Sequence, residues 1–103
     1  MDMINGRSGK SVLLKAESFK TMFTPQFSVQ HPTAKINLEK RNKGIFWNLY
    51  KNGTIGHDGD DPGVSSYLLF NPSTGKGGIF VSNKYVEDKT LIFNMISEAI
   101  SKN

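Results

Sequence analysis

The run Gly56-His57-Asp58-Gly59-Asp60-Asp61-Pro62-Gly63 is the stretch of this chain whose residue types could do chemistry together. Histidine changes charge near neutral pH, so His57 could move a proton or donate a hydrogen bond to a carbonyl or carboxylate. The competing reading is a surface histidine beside a turn. His57, Asp58, Asp60 and Asp61 also have the composition of a metal site. Four ligand-type residues within five positions of a loop rarely converge on one ion, so neither a metal nor a cofactor is expected. Lys35, Lys40, Arg41 and Lys43 form the densest basic group. Glu39 interrupts it and no aromatic residue is interleaved, which describes a solvated loop rather than a grip on a phosphate backbone. No nucleic-acid partner is expected.

The elements that must position these residues are bounded by the bulk properties. A length of 103 residues suits a single domain with a modest core. A hydrophobic fraction of 37%, with Phe 7, Tyr 3 and Trp 1, argues for a folded chain. The formal charge of +4 is mild and specifies no partner. Without cysteine there is no disulfide or thiolate metal site, and redox chemistry gives no compartment. No stretch approaches the roughly 20 apolar residues of a membrane span. The first residues lack the basic and apolar regions of a signal peptide.

Asn5-Gly6 suits a helix C-cap or a tight turn, because both residues tolerate positive φ. Leu14, Phe19, Met22 and Phe23 share a face at helical spacing, and Thr24-Pro25 stops that short helix. Residues 26–43 read as a polar loop with a short extended piece around Ile36 and Leu38. Ile45 to Tyr50 is rich in strand formers, and Asn52-Gly53 signals a hairpin that returns over Thr54 to Asp58. Residues 59–63 read as a loop. Val64 to Asn71 forms a third strand, residues 72–75 a turn, and Gly78 to Asn83 a fourth. Phe46, Trp47, Tyr50, Tyr67, Phe70 and Phe80 are expected in the core and in cross-strand packing rather than as a binding face. In the final segment Leu91, Ile92, Met95, Ile96, Ala99 and Ile100 make one helical stripe, with Glu87 and Asp88 in its first turn and Lys102 in its last. The expected class is α+β: an antiparallel meander of about four strands packed against a C-terminal helix, with a short N-terminal helix.

The run from Gly56 to Gly63, continued by Val64-Ser65-Ser66-Tyr67, resembles the third active-site motif of the β-lactamase-like serine hydrolases, which include class C β-lactamases, D-alanyl-D-alanine carboxypeptidases and related esterases. In many members that motif reads His-x-Gly, followed by a small or acidic residue and Pro-Gly. The flanks are similar too, and in the same order. Asn5-Gly6, then residues 12–18 and Met22 with Thr24-Pro25-Gln26, resemble the helix before that strand. Leu69-Phe70-Asn71-Pro72, residues 78–83 and a closing helix resemble the family's segments after it. The resemblance covers nearly the whole chain and implies the C-terminal part of the family's α/β half, hence a single, incomplete domain over residues 1–103 of a β-lactamase/transpeptidase-like fold. It implies that His57 faces a substrate cleft, that Gly59 lets the backbone approach substrate, and that the backbone N–H of Asp60 serves an oxyanion hole. Asp60 departs from the commoner pattern, which has glycine there. A carboxylate beside a developing oxyanion is unfavourable unless it points away.

The family's other two motifs have no good counterpart. Its nucleophile is the serine of Ser-x-x-Lys, and Ser73 with Lys76 fits only formally, because it lies in a turn where the lysine is not one helical turn along. Tyr50-Lys51-Asn52 has the letters of Tyr-x-Asn but falls on a hairpin. The resemblance therefore implies an acyl-enzyme amidase or esterase when complete, and a chain that is inactive alone. Its expected partners are the missing N-terminal part of the parent hydrolase or a second copy through an exposed sheet edge. The reading from another class is a non-catalytic module that uses that edge for self-association or peptide binding.

Overall fold

Residues 7, 8 and 10–103 are described by a computed structural model, and the expectation at Asn5-Gly6 lies outside them. The chain divides between Gly53 and Thr54 into two compact units.

In the first unit, β1 (Arg7–Ser8) pairs antiparallel with β2 (Ser11–Val12). Helix α1 (Ala16–Met22) follows, with Glu17 in its first turn and Lys20 in its last, as the helix dipole favours. Leu14, Phe19, Met22 and Phe23 are half-buried while the residues between them are exposed, so the expected face is the sheltered one. Phe19 meets Phe23 edge-on at 4.9 Å, and Phe23 lies 6.0 Å from Trp47. Strand β3 (Arg41–Lys43) pairs antiparallel with β4 (Asn48–Tyr50). Asn42 ties the long loop to β3: its Nδ2 donates to the Phe27 carbonyl (2.7 Å), and its Oδ1 accepts from the N–H of Phe27 (3.2 Å) and of Lys43 (2.7 Å).

Three expectations are corrected in this unit. No strand forms at Ile36 or Leu38, and the extended piece lies at β3 instead. The strand expected over Ile45 to Tyr50 is reduced to its second half. The Gly44 N–H donates to the Trp47 carbonyl (2.9 Å) and the Ile45 N–H to the Met22 carbonyl (2.8 Å), which closes a bend. A Cβ on Gly44 would collide with the Met22 carbonyl, so only glycine fits there. Phe46 adopts φ 77° and is 71% exposed, so it is not the core residue its type suggested, whereas Trp47 is buried.

The second unit is the meander. Strand β5 (Ile55–Asp61) pairs with β6 (Val64–Asn71), and β6 pairs with β7 (Lys76–Ser82), all antiparallel. Helix α2 (Thr90–Ser101) packs on β6 and β7. The α+β class, with antiparallel strands and a C-terminal helix on the sheet, is as expected. The loop foreseen over residues 59–63 is not. Only Pro62 and Gly63 turn, and β5 runs on through Gly59, Asp60 and Asp61 to pair with Ser66, Ser65 and Val64. A two-residue Pro-Gly turn, with Gly63 at φ 83°, closes the hairpin tightly enough to keep this acidic segment extended.

Helix α2 is also rotated from its expected stripe. Its sheltered residues are Ile92, Phe93, Ile96, Ser97 and Ile100, while Leu91 (70%) and Met95 (62%) are exposed. Phe93 reaches Tyr67 at 5.7 Å, and Gly78 lies directly beneath Ile96, with no room for a side chain between them. The helix begins at Thr90, so Glu87 and Asp88 precede it. The Oδ1 of Asp88 accepts the Thr90 N–H (2.9 Å). Leu69, fully buried, is the centre of this layer, and its burial alone stabilises by about 1.5–3 kcal/mol.

Candidate functional site

Strand geometry separates the residues of the chemical run into two sets. Successive side chains of a strand point to opposite faces. Asp58 and Asp60 stand opposite Tyr67 and Ser65 on β6, and Tyr67 packs against α2, so both carboxylates lie on the helix side of the sheet. His57, Gly59 and Asp61 alternate with them and take the other face. There His57 is in register with Leu68 and, across β6, with Ile79. Gly59 is in register with Ser66 and Val81, and a side chain at Gly59 would press on the Ser66 hydroxyl. His57 is half-buried, with its Nε2 shielded from solvent. Leu68 (43%), Ile79 (72%) and Val81 (67%) are exposed on this face, whereas Ile55 and Phe70, further along it, are buried.

The backbone sorts in the same way. In a two-residue hairpin the residues flanking the turn exchange both hydrogen bonds, and bonded and non-bonded pairs alternate from there. Starting from Asp61 opposite Val64, the bonded positions are Asp61, Gly59 and His57. The N–H groups of Asp60 and Asp58 therefore turn away from β6. The Asp60 N–H lies on the side of β5 away from β6, while the carboxylate of the same residue goes to the helix face.

What holds that carboxylate is Lys89, just before α2. The Lys89 side chain is only 7% exposed. Its ammonium stands 2.9 Å from Asp60 Oδ2, 3.9 Å from Asp58 Oδ2 and 4.5 Å from the centre of the Tyr67 ring, and it donates to the Ser66 carbonyl (3.4 Å). A buried ammonium requires such partners. Ser65, fully buried, donates its hydroxyl to Asp60 Oδ1 (2.7 Å) and accepts the Val86 N–H (2.9 Å). Hydrogen bonds from Lys89 and then Ser65 hold the Asp60 carboxyl below the ordinary aspartate range.

Thus His57 and Gly59 share one face, the Asp60 carboxylate takes the other, and the Asp60 N–H lies in the plane of the sheet between them. The four acidic and imidazole groups do not converge. Among the described residues no three such side chains come together as metal ligands. Ser73 and Lys76 do not form a catalytic pair. Ser73 is exposed in its turn with its N–H on Asn71 Oδ1 (2.9 Å), and the Lys76 ammonium donates to the Lys102 carbonyl. Tyr50 takes the Asn48 side-chain amide on its hydroxyl (3.5 Å), with Asn52 in the turn beyond it.

Lys89 and Ser65 were not singled out from the sequence. The signal lay in Asp58 and Asp60, whose i, i+2 spacing puts two carboxylates on one face once the segment is a strand, where a cation is favoured. Among the described residues no helix is long and apolar enough to cross a membrane. Comparison with protein-family models, with curated proteins and with solved structures found no match.

Proposed function

We propose that this chain is the C-terminal part of a β-lactamase-like serine hydrolase, which supplies the third-motif strand and does not turn over substrate alone. One observation carries the reading. Strand β5 stays extended through the His-x-Gly segment, with His57 and Gly59 on the sheet face opposite α2 and the Asp60 N–H turned away from β6. That is the arrangement an acyl-transfer site asks of such a strand: a side chain able to donate to substrate, a position without a side chain, and an aimed backbone donor. The carboxylate that made Asp60 an awkward residue for this role lies behind the sheet on Lys89. The nucleophile and its lysine come from elsewhere in the parent enzyme.

The test is the reading frame upstream of Met1, together with turnover of a chromogenic ester and a chromogenic cephalosporin by this chain. Upstream Ser-x-x-Lys and Tyr-x-Asn motifs, with no turnover by the chain alone, are expected. Turnover that survives repurification and is lost in His57→Ala overturns the claim that the nucleophile lies elsewhere. An upstream stop codon followed by a genuine start site overturns the parent hydrolase itself.

A specific observation favours the second reading, a non-catalytic module that self-associates or binds a peptide by strand addition. Among the described residues β7 pairs only with β6, and Ile79 and Val81 on that edge strand are exposed. A mass that rises with concentration in sedimentation, and falls to that of a monomer in Ile79→Lys, is its expected signature.

A further inference from the structure

We propose, resting on the reading of β5 as a third-motif strand, that Lys89 is a positioning residue. Strand alternation puts the carboxylates of Asp58 and Asp60 on the helix side of the sheet, and by neutralising them there Lys89 keeps uncompensated negative charge from acting on the Asp60 N–H. Three observations support this. The ammonium is almost wholly buried yet contacts both carboxylates, so its place is set by them and not by solvent. Ser65 completes the hold on Asp60 from the neighbouring strand, and the Val86 N–H in turn fixes the Ser65 hydroxyl. Asp60 is also the residue whose own N–H is the aimed donor, so a side-chain rotation there brings a negative charge to within a few ångströms of any oxyanion the N–H receives.

The inference answers a chemical problem peculiar to this strand. Where a glycine would carry no charge, this chain has an aspartate, and it keeps the donor usable by neutralising the acid from behind. Lys89 touches neither the face that carries His57 nor the donor. It acts through Asp58 and Asp60.

The experiment tracks the backbone amide of Asp60 in two-dimensional nitrogen–proton NMR spectra of the full chain, titrated with inorganic phosphate at fixed pH and ionic strength. In the wild-type chain the Asp60 amide is expected to shift with phosphate. Lys89→Met removes the ammonium from beside the Asp60 carboxylate. One charge about 6 Å from the bound anion weakens binding about three-fold even at the dielectric constant of water, so a loss of at least that size is expected. The triple variant Lys89→Met/Asp58→Asn/Asp60→Asn, which carries neither the ammonium nor the two carboxylates, is expected to bind phosphate at least as tightly as the wild type. A role confined to stability would not produce that recovery.

Equal affinity in the wild type and Lys89→Met overturns the positioning role and leaves the strand reading intact. No phosphate response at the wild-type Asp60 amide overturns the strand reading, and the positioning role with it. If Lys89→Met alone does not fold, the triple variant decides: affinity equal to or above that of the wild type supports the proposal, and affinity still lost overturns it.

Discussion

Valine at position 78 separates two opposing expectations by sign. Position 78 lies inside β7, where an isolated strand would gain from a β-branched residue; the host scale for such exchanges spans about 1 kcal/mol. Here α2 covers the position. A Cβ on Gly78 would stand 2.8 Å from Ile96 Cγ2 and 3.7 Å from Ile100 Cγ2. The ordinary separation of such carbons is about 3.5–4.0 Å, so Ile96 or the whole helix must retreat by most of an ångström. Overpacking of this kind costs about 1–3 kcal/mol, against which the stiffening of the unfolded chain returns about 0.4–1 kcal/mol. Gly78→Ala should therefore destabilise by about 1 kcal/mol and Gly78→Val by more. For a domain of this size each kcal/mol lowers Tm by about 4–8 °C. Thermal and urea unfolding monitored by circular dichroism measures both. Ile96→Ala removes the atom in the way, so the Gly78→Val/Ile96→Ala pair should be less destabilised than the sum of its single changes by at least about 1 kcal/mol. A rise in Tm for Gly78→Val, or strict additivity with Ile96→Ala, would refute the seating of α2 on β7.

Local geometry sets two further outcomes. Asp60 is held below the ordinary aspartate range by Lys89 and Ser65, and Asp88 by its bonds to Thr90, so both carboxylates stabilise the fold above their unfolded pKa of about 3.9 and that contribution is lost as pH falls through their lower folded values; Tm recorded from pH 7 to pH 2 should drop more steeply below about pH 4 in the wild type than in Asp60→Asn/Asp88→Asn. Asn42→Ala leaves the Phe27 N–H and carbonyl without their side-chain partner and should cost about 1–3 kcal/mol, with amide exchange of Phe27 accelerated.

The sequence made the meander and the last helix legible because Val64 to Asn71 and the turn after it carry strong, local patterns. It misled where a local preference was overruled at a distance. Ile45 to Trp47 has strand composition, but Gly44 is forced against the Met22 carbonyl and Phe46 into positive φ, which bends the segment. Gly59 to Asp61 has loop composition, yet a tight Pro62-Gly63 turn and a lysine some thirty residues on make a strand of it. The stripe of α2 was misplaced because Ser97, a polar residue, sits on the buried face while Leu91 and Met95 sit outside it. Of the candidate site, His57 was expected on a strand and Gly59 in a loop, and only the longer run of β5 puts the two on one face. The hold on the Asp60 carboxylate behind its backbone donor could not be foreseen, since it depends on Lys89, which only the tertiary fold brings near.

The hold on α2 at both ends bears on how this part of the molecule opens. Helix ends ordinarily fray first, since their last carbonyls lack partners. In α2 the Ile100 carbonyl accepts the Thr74 hydroxyl and the Lys102 carbonyl accepts the Lys76 ammonium, while Lys89 secures the start against β5. Gradual peeling from either tip is thereby suppressed. The helix should leave the sheet in one step, so that its hydrogen-bonded amide protons from Phe93 onward show a common protection once intrinsic exchange rates are divided out, and anything that pries it loose must break the hold at both ends together.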